Sequence, residues 1–357
     1  MSGDEYASMK RRIQPRRSLA DVPILLPENR KGKLRLDMNE NAIGCPPRAL
    51  AALRRLNAES LAMYPESRIA IARMAPHFGV RAAEMLLTSG IDDALRLIAD
   101  AFLERGRSVL LVEPTFPMYR FFAGQRDTRV HSLRYGEEMQ FPLTGVLDGL
   151  RTGPTVFFLA NPNNPTGTLL STSELRKILN AAVRTLVVVD EAYYEFAGLT
   201  ALPWIRKYHN LIVTRTFSKV TGLAGLRLGC IFAHRELTDI LRRAESPFPI
   251  NVAAIVAAQA ALLDRAFIRR CARKIVHNRE ILTDELRRLG ARVIPSATNF
   301  VLADFGAGAP KIVRGLERDG ILVRDCTMWF RRPGFVRITV GTRVQMERLL
   351  RSLRRLL

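Results

Sequence analysis

Long apolar runs are missing from this 357-residue chain. The longest, Ile250 to Leu263, contains Asn251 and Gln259. It falls short of the ~20 apolar residues a helix needs to span a bilayer, which argues against a membrane-embedded protein. Cysteine is scarce: Cys45, Cys230, Cys271 and Cys326 lie far apart. That excludes a disulfide framework and fits reduced thiols in a cytoplasmic protein. The five histidines are equally scattered, with no pair at metal-ligand spacing. Low-complexity tracts and internal repeats are absent, which excludes repeat arrays. The opening stretch MSGDEYASMKRRIQPRR has no apolar segment, so no secretory signal is expected. Nucleotide fingerprints are missing too. Gly32-Lys33 is followed by leucine, and Gly222, Gly225 and Gly229 do not form G-x-G-x-x-G.

Lysine is also rare, eight against 47 arginines, in a chain of net charge +21. The arginines spread along helical faces, as at Arg269-Arg270, Arg287-Arg288 and Arg354-Arg355. No basic block is interleaved with aromatics, so a solvated surface is the favoured reading over a nucleic-acid partner. Part of the charge serves to attract an anionic substrate.

What is present is a hydrophobic fraction of 48%, enough for one large domain and a small one. Residues 1–35 read as an N-terminal arm, 36–249 as the large domain and 250–357 as the small one. Short apolar runs recur between helical patterns: Val109 to Val112, Thr155 to Ala160, Leu186 to Val189 and Leu211 to Val213. Such continuous runs argue a mostly parallel sheet covered on both faces, an α/β fold. Leu86 to Gly90 reads as another strand entering a helix, and Ser171 to Glu174 as a capping box. After Pro249 come helices from Val252 to Asp264 and Ala266 to Leu289. Strand-like pieces at Asn299, Ile321 and Val336 follow, then a helix from Arg343. This reads as a smaller α+β unit.

Polar residues cluster just past the ends of the apolar runs, where open α/β sheets bind ligands. Lys219 stands in Thr214–Gly229, TRTFSKVTGLAGLRLG. A lysine there can form an imine with an aldehyde, and nearby hydroxyl and guanidinium groups can hold a phosphate. An aldehyde that carries a phosphate is pyridoxal 5'-phosphate. The cofactor needs a definite set of groups. Asp190 would face the pyridinium nitrogen. Tyr193 and Asn164 would hydrogen-bond the ring hydroxyl, and Phe116 would stack on the ring. Ser218, Arg227 and the backbone at Gly90, Ile91 and Asp92 would hold the phosphate.

With these residues in place, the chain resembles the fold-type I pyridoxal phosphate aminotransferases, and among them the histidinol-phosphate aminotransferase family. The matching pieces are LDMNENAIGCPP, MYPES, EPTFPMYRF, NPNNPTG, VVVDEAYYEF, TFSKVTGLAGLRLG, PSATNFVL and VRITVGT. They run in the family's order over nearly the whole chain. The resemblance implies a homodimer with shared active sites, in which Tyr64 reaches the phosphate of the neighbouring subunit's cofactor. It also implies that Arg337 grips a substrate carboxylate, Arg324 a second anion such as a phosphate, and that Asn39 contacts substrate. The chain departs from the family's pattern at Ala42-Ile43, at Val220-Thr221 and across Cys326 to Gly334, CTMWFRRPG. Those places approach the substrate pocket. A threonine-phosphate decarboxylase, or an aminotransferase or oxidase of specialised metabolism, is therefore the alternative. A nucleic-acid-binding protein on the same body is a more remote one.

Overall fold

A computed structural model describes residues 30–357. The expected N-terminal arm lies largely outside the described residues. The strands are β1 (Leu34–Leu36), β2 (Met85–Thr88), β3 (Ser108–Glu113), β4 (Arg129–Arg134), β5 (Val156–Ala160), β6 (Leu186–Asp190), β7 (Leu211–Thr216), β8 (Gly229–Ala233), β9 (Arg292–Ile294), β10 (Phe300–Asp304), β11 (Ile321–Asp325) and β12 (Phe335–Thr339).

Seven of them form a sheet in the order β2-β8-β7-β6-β5-β3-β4. Pairing is parallel from β7 to β4, and β8 alone runs against both its neighbours. The apolar runs owe their continuity to burial on both faces. Leu111, Phe158, Val188, Ile212 and Ile231 belong to one core cluster, and Leu110, Phe157, Val187, Val213 and Phe232 to the other. Helices Gly90–Phe102, Met118–Gln125 and Arg235–Ala244 cover the first face; Leu143–Arg151, Thr172–Ala181 and Val252–Leu262 cover the second. Ser171 caps its helix by accepting from Glu174 N–H, and the Glu174 carboxylate accepts the Ser171 N–H in return.

The second sheet has the order β1-β11-β12-β10-β9, with β1 parallel to β11 and the other pairs antiparallel. Helices Arg265–Arg288, Ala309–Arg318 and Arg343–Leu356 pack on it. Leu34–Leu36 is thus an edge strand of this sheet, and the chain crosses from it into the first layer through Asp37 to Asn41. That crossing carries several groups of the site.

Candidate active site

Strand register assembles the site. Thr88, Gly229 and Thr216 stand in a row across β2, β8 and β7, and Ala160, Asp190 and Thr214 across β5, β6 and β7. Both rows lie at the C-terminal edge of the parallel strands. Because β8 is reversed, its first residue, not its last, reaches that edge. The loop 217–228 therefore leaves and returns at adjacent positions, and it carries Ser218, Lys219 and Arg227.

Two glycines let neighbouring loops close on each other. Gly90 has φ +77°, and a Cβ there would come within 2.7 Å of Arg227 Nη2. A Cβ on Gly229 would meet the Gly90 carbonyl carbon at 2.8 Å. The first turn of helix Gly90–Phe102, with the N–H groups of Gly90, Ile91 and Asp92, therefore lies beside a guanidinium. In this structure Arg227 Nη2 donates to Asp92 Oδ2 at 3.2 Å. Ser218 is buried, and its N–H donates to Thr216 Oγ1 at 3.0 Å.

Lys219 Nζ donates to the Met38 carbonyl at 3.1 Å and lies 5.7 Å from the Tyr193 ring centroid. Burial, then the nearby Arg337 charge, pushes its amine down to about 8, with Arg227 adding to the shift. About a tenth of such lysines are neutral at pH 7, some 300-fold more than for an ordinary lysine. Asp190 shows the opposite displacement: burial pushes its carboxyl up to about 6. It rises although Tyr119 Oη donates to Oδ2 at 2.8 Å and Ala192 N–H to Oδ1 at 3.1 Å.

Tyr193 is buried, and its hydroxyl accepts from Asn39 Nδ2 at 2.9 Å. Asn39 sits at φ 57°, a left-handed conformation that short polar side chains tolerate. It is tied further through Thr339 Oγ1, which donates to Asn39 Oδ1 at 3.1 Å. Asn164 Oδ1 accepts from Arg337 Nη1, and Arg337 Nη2 donates to the Asp37 carbonyl. Among the described residues Arg337 Nε finds no hydrogen-bond partner, although the side chain is buried. Its guanidinium lies 5.3 Å from the Trp329 ring and 5.4 Å from Phe300. Arg324 is the register partner of Arg337 across β11 and β12, so the two arginines leave the sheet on the same face. Phe116 meets Tyr119 edge-on, with ring centroids 5.7 Å apart. Tyr64 stands apart: it is 75% exposed and stacks on Phe248 at 4.2 Å.

The sequence profile described as "Aminotransferase class I and II" matches residues 31–353. The chain belongs to the class I and II aminotransferases. Among curated relatives, the histidinol-phosphate aminotransferase of Symbiobacterium thermophilum is 37% identical, over 90% of this chain and 90% of its own. Among solved structures, the histidinol-phosphate aminotransferase of Sinorhizobium meliloti, in complex with pyridoxal-5'-phosphate, superposes with a TM-score of 0.87. It is 28% identical over 96% of this chain and 97% of that one. The L-threonine-O-3-phosphate decarboxylase of Porphyromonas gingivalis gives a TM-score of 0.80 at 26% identity, over 90% of this chain and 98% of that one.

Against this aminotransferase background, several site groups escaped sequence reasoning. Tyr119 holds Asp190 while stacking in parallel on Phe158 at 5.2 Å; its place three residues after Phe116 is the only local signal. The neighbour of Asp190, Glu191, is not surface. Its carboxylate accepts from Arg215 Nη2 at 2.9 Å, Arg215 Nε at 3.0 Å, the Thr200 hydroxyl and the Ala201 N–H. Arg215 in turn lies 3.5 Å over the Tyr194 ring. In NPNNPTG only the third asparagine is aimed at the site. Asn161 Oδ1 accepts from Leu170 N–H, and Asn163 Nδ2 donates to the Pro114 carbonyl, so these two shape the loop.

Pyridoxal phosphate fits the residues present. Asp190 is a buried carboxylate whose charge burial disfavours, and among the described residues its hydrogen-bond donors, Tyr119 and the Ala192 N–H, are neutral. A protonated ring nitrogen would supply a positive charge there. Lys219 is a largely desolvated amine, and the Gly90 to Asp92 turn beside Arg227 has N–H groups and a guanidinium that would suit an anion.

Proposed function

We propose that this aminotransferase binds pyridoxal 5'-phosphate and moves an amino group between histidinol phosphate and 2-oxoglutarate. The observation that carries the reading is the register pairing of Arg324 with Arg337 beside Asn164 and the Lys219 amine. Two guanidinium groups on one face suit a phosphate or a second carboxylate, and they let one pocket take both partners in turn.

When bound, the cofactor supplies an electron sink for the charge left as the substrate Cα–H bond breaks. The chain's own groups do the rest. Lys219, shifted towards its neutral form, would take the proton at Cα and hand it on. Asp190, oriented by Tyr119, would face the ring nitrogen and favour its positive form. Tyr193 and Asn164 would position the ring hydroxyl, Phe116 would pack on the ring face, and Ser218, Arg227 and the Gly90 to Asp92 N–H groups would hold the phosphate. Arg337 would take the carboxylate, Asn39 would support Tyr193 beside it, and Arg324 would take the second anion.

A cytoplasmic homodimer is part of this reading. Leu61, Met63, Tyr64 and Phe248 are all more than half exposed, and large exposed apolar side chains in company are what a partner subunit covers. Tyr64 would serve the site across that interface. Also part of it is a division into a larger and a smaller unit, with the N-terminal arm packing on the smaller one; the expected break between residues 249 and 250 falls too early, because helix Val252–Leu262 packs on the larger sheet, so the smaller unit starts after that helix. Among the described residues no helix is long and apolar enough to cross a membrane.

The test is an absorbance titration of cofactor-loaded protein with L-histidinol phosphate, without acceptor. The cofactor's visible band should fall, and 2-oxoglutarate should restore it. If glutamate bleaches the band and histidinol phosphate does not, the donor is another amine. The similarity to the Porphyromonas gingivalis decarboxylase motivates a second reading, and carbon dioxide release from threonine phosphate would establish it.

A further inference from the structure

We propose that His209, His234 and Glu236 form a surface site for one divalent first-row transition-metal ion, unrelated to the cofactor site. The three come together through strand pairing. Ile212 of β7 pairs with Ala233 of antiparallel β8. That register brings the residues just before β7 beside those just after β8. His234 Nδ1 accepts the Glu236 N–H at 3.4 Å at the start of helix Arg235–Ala244, a long contact that an ion on Nδ1 would replace, and Glu236 lies in that helix's first turn. One ligand atom from each side chain lies within 4.8 Å of the others.

The separations are the informative part. His209 Nδ1 is 3.7 Å from Glu236 Oε2, and His234 Nδ1 is 3.6 Å from the same oxygen. Both exceed an N–H···O hydrogen bond. They are close to the ~3.3 Å edge of a tetrahedron with zinc–ligand bonds of about 2.0–2.1 Å. Two imidazoles and one carboxylate are the donor set that suits zinc and its first-row neighbours rather than calcium or magnesium. The imidazole rings are stacked at 3.8 Å, so coordination requires the His209 ring to turn out of the stack. Its side chain is 59% exposed, which leaves room on the solvent side for the ring to turn.

The surroundings are balanced in charge rather than basic: Arg81, Arg206 and Arg235 stand against Glu84, Glu236 and Asp239. A cavity of about 630 Å³ opens beside His234 and Glu236. Its Arg206 is held by both oxygens of Glu84 at 2.7 and 2.8 Å, and its Arg235 faces Asp239 at 3.5 Å. The site lies at the opposite end of β7 from Lys219, about 20 Å away along the strand. A bound ion would fasten the segment before β7 to the start of the helix after β8 and leave catalysis untouched.

The experiment is calorimetric titration of chelator-treated, cofactor-loaded, full-length protein with zinc chloride. The variants are His209→Ala, Glu236→Gln and a control, His277→Ala. Wild type and the control should bind one zinc equivalent, at micromolar Kd, that His209→Ala and Glu236→Gln lack or bind at least tenfold more weakly. Cobalt should give the visible spectrum of a low-coordinate site in wild type and not in His209→Ala. Zinc binding by His209→Ala equal to wild type, or no wild-type binding below about 1 mM, overturns the proposal.

Discussion

Replacing Lys219 by methionine should make the cofactor-free protein more stable. The lysine's pKa falls to about 8 from an ordinary 10.5, chiefly through burial and then through Arg337. Below pH 8 the amine is charged in both the folded and the unfolded chain. Folding then carries the whole burden, about 3 kcal/mol for a shift of this size. Between pH 8 and 10.5 only the unfolded chain is charged, so stability rises with pH and the burden fades, to about 1 kcal/mol near pH 9.5. The variant loses the Lys219 Nζ hydrogen bond to the Met38 carbonyl, which offsets roughly 1 kcal/mol. Methionine keeps the unbranched stem and its packing. The net gain at pH 7 is about 2 kcal/mol, or about 3 °C in Tm for a chain of this length. Thermal melts of the cofactor-free proteins at pH 7.0 and 9.5 measure it. A variant no more stable than wild type at pH 7, or a gain that grows with pH, refutes the account of Lys219 as a desolvated amine.

Tyr119→Phe removes a donor to Asp190 Oδ2. A hydrogen bond to a charged group contributes about 1.5–3 kcal/mol, so the Asp190 carboxyl should rise further above 6. Cofactor affinity, followed by fluorescence across pH 5–8, should then fail at a higher pH than in wild type. Gly90→Ala places a Cβ against Arg227 at a left-handed position. It should lower stability by about 1–3 kcal/mol, read as Tm, and weaken cofactor retention in dialysis. Glu191→Gln leaves Arg215 charged, buried and without its anion. A loss of about 3–5 kcal/mol in urea unfolding is expected, and an unchanged midpoint would show that the pair contributes little.

Central strands were legible because they are buried on both faces. The apolar runs at Leu186 and Leu211 open β6 and β7, whose side chains are buried throughout. The edge strand β4, RVHSLR, was not legible. Its side chains are largely exposed, and no core demands an apolar pattern there. Lys219, Asp190 and Asn164 announced themselves as polar residues following apolar runs, and Arg227 by standing eight residues past Lys219; the structure gathers them at one edge. Tyr119 did not, since its partner lies 71 residues along the chain. Arg215 reads as a polar interruption of a strand until Glu191, 24 residues away, is seen to neutralise it. His209 and His234 carry no local spacing at all, because an antiparallel register brings them together.

The reversed direction of β8 has an engineering consequence. Thr216 and Gly229 are partners across β7 and β8, so the residues between them form a closed hairpin cassette anchored at two neighbouring points. Lys219 and Arg227 travel together on that cassette. A graft of residues 217–228 from another class I and II aminotransferase would transfer the amine and the arginine in fixed mutual geometry. Changing the cassette's length by a residue would instead shift Arg227 relative to the first turn of Gly90–Phe102, uncoupling that pair from the amine while leaving the sheet intact.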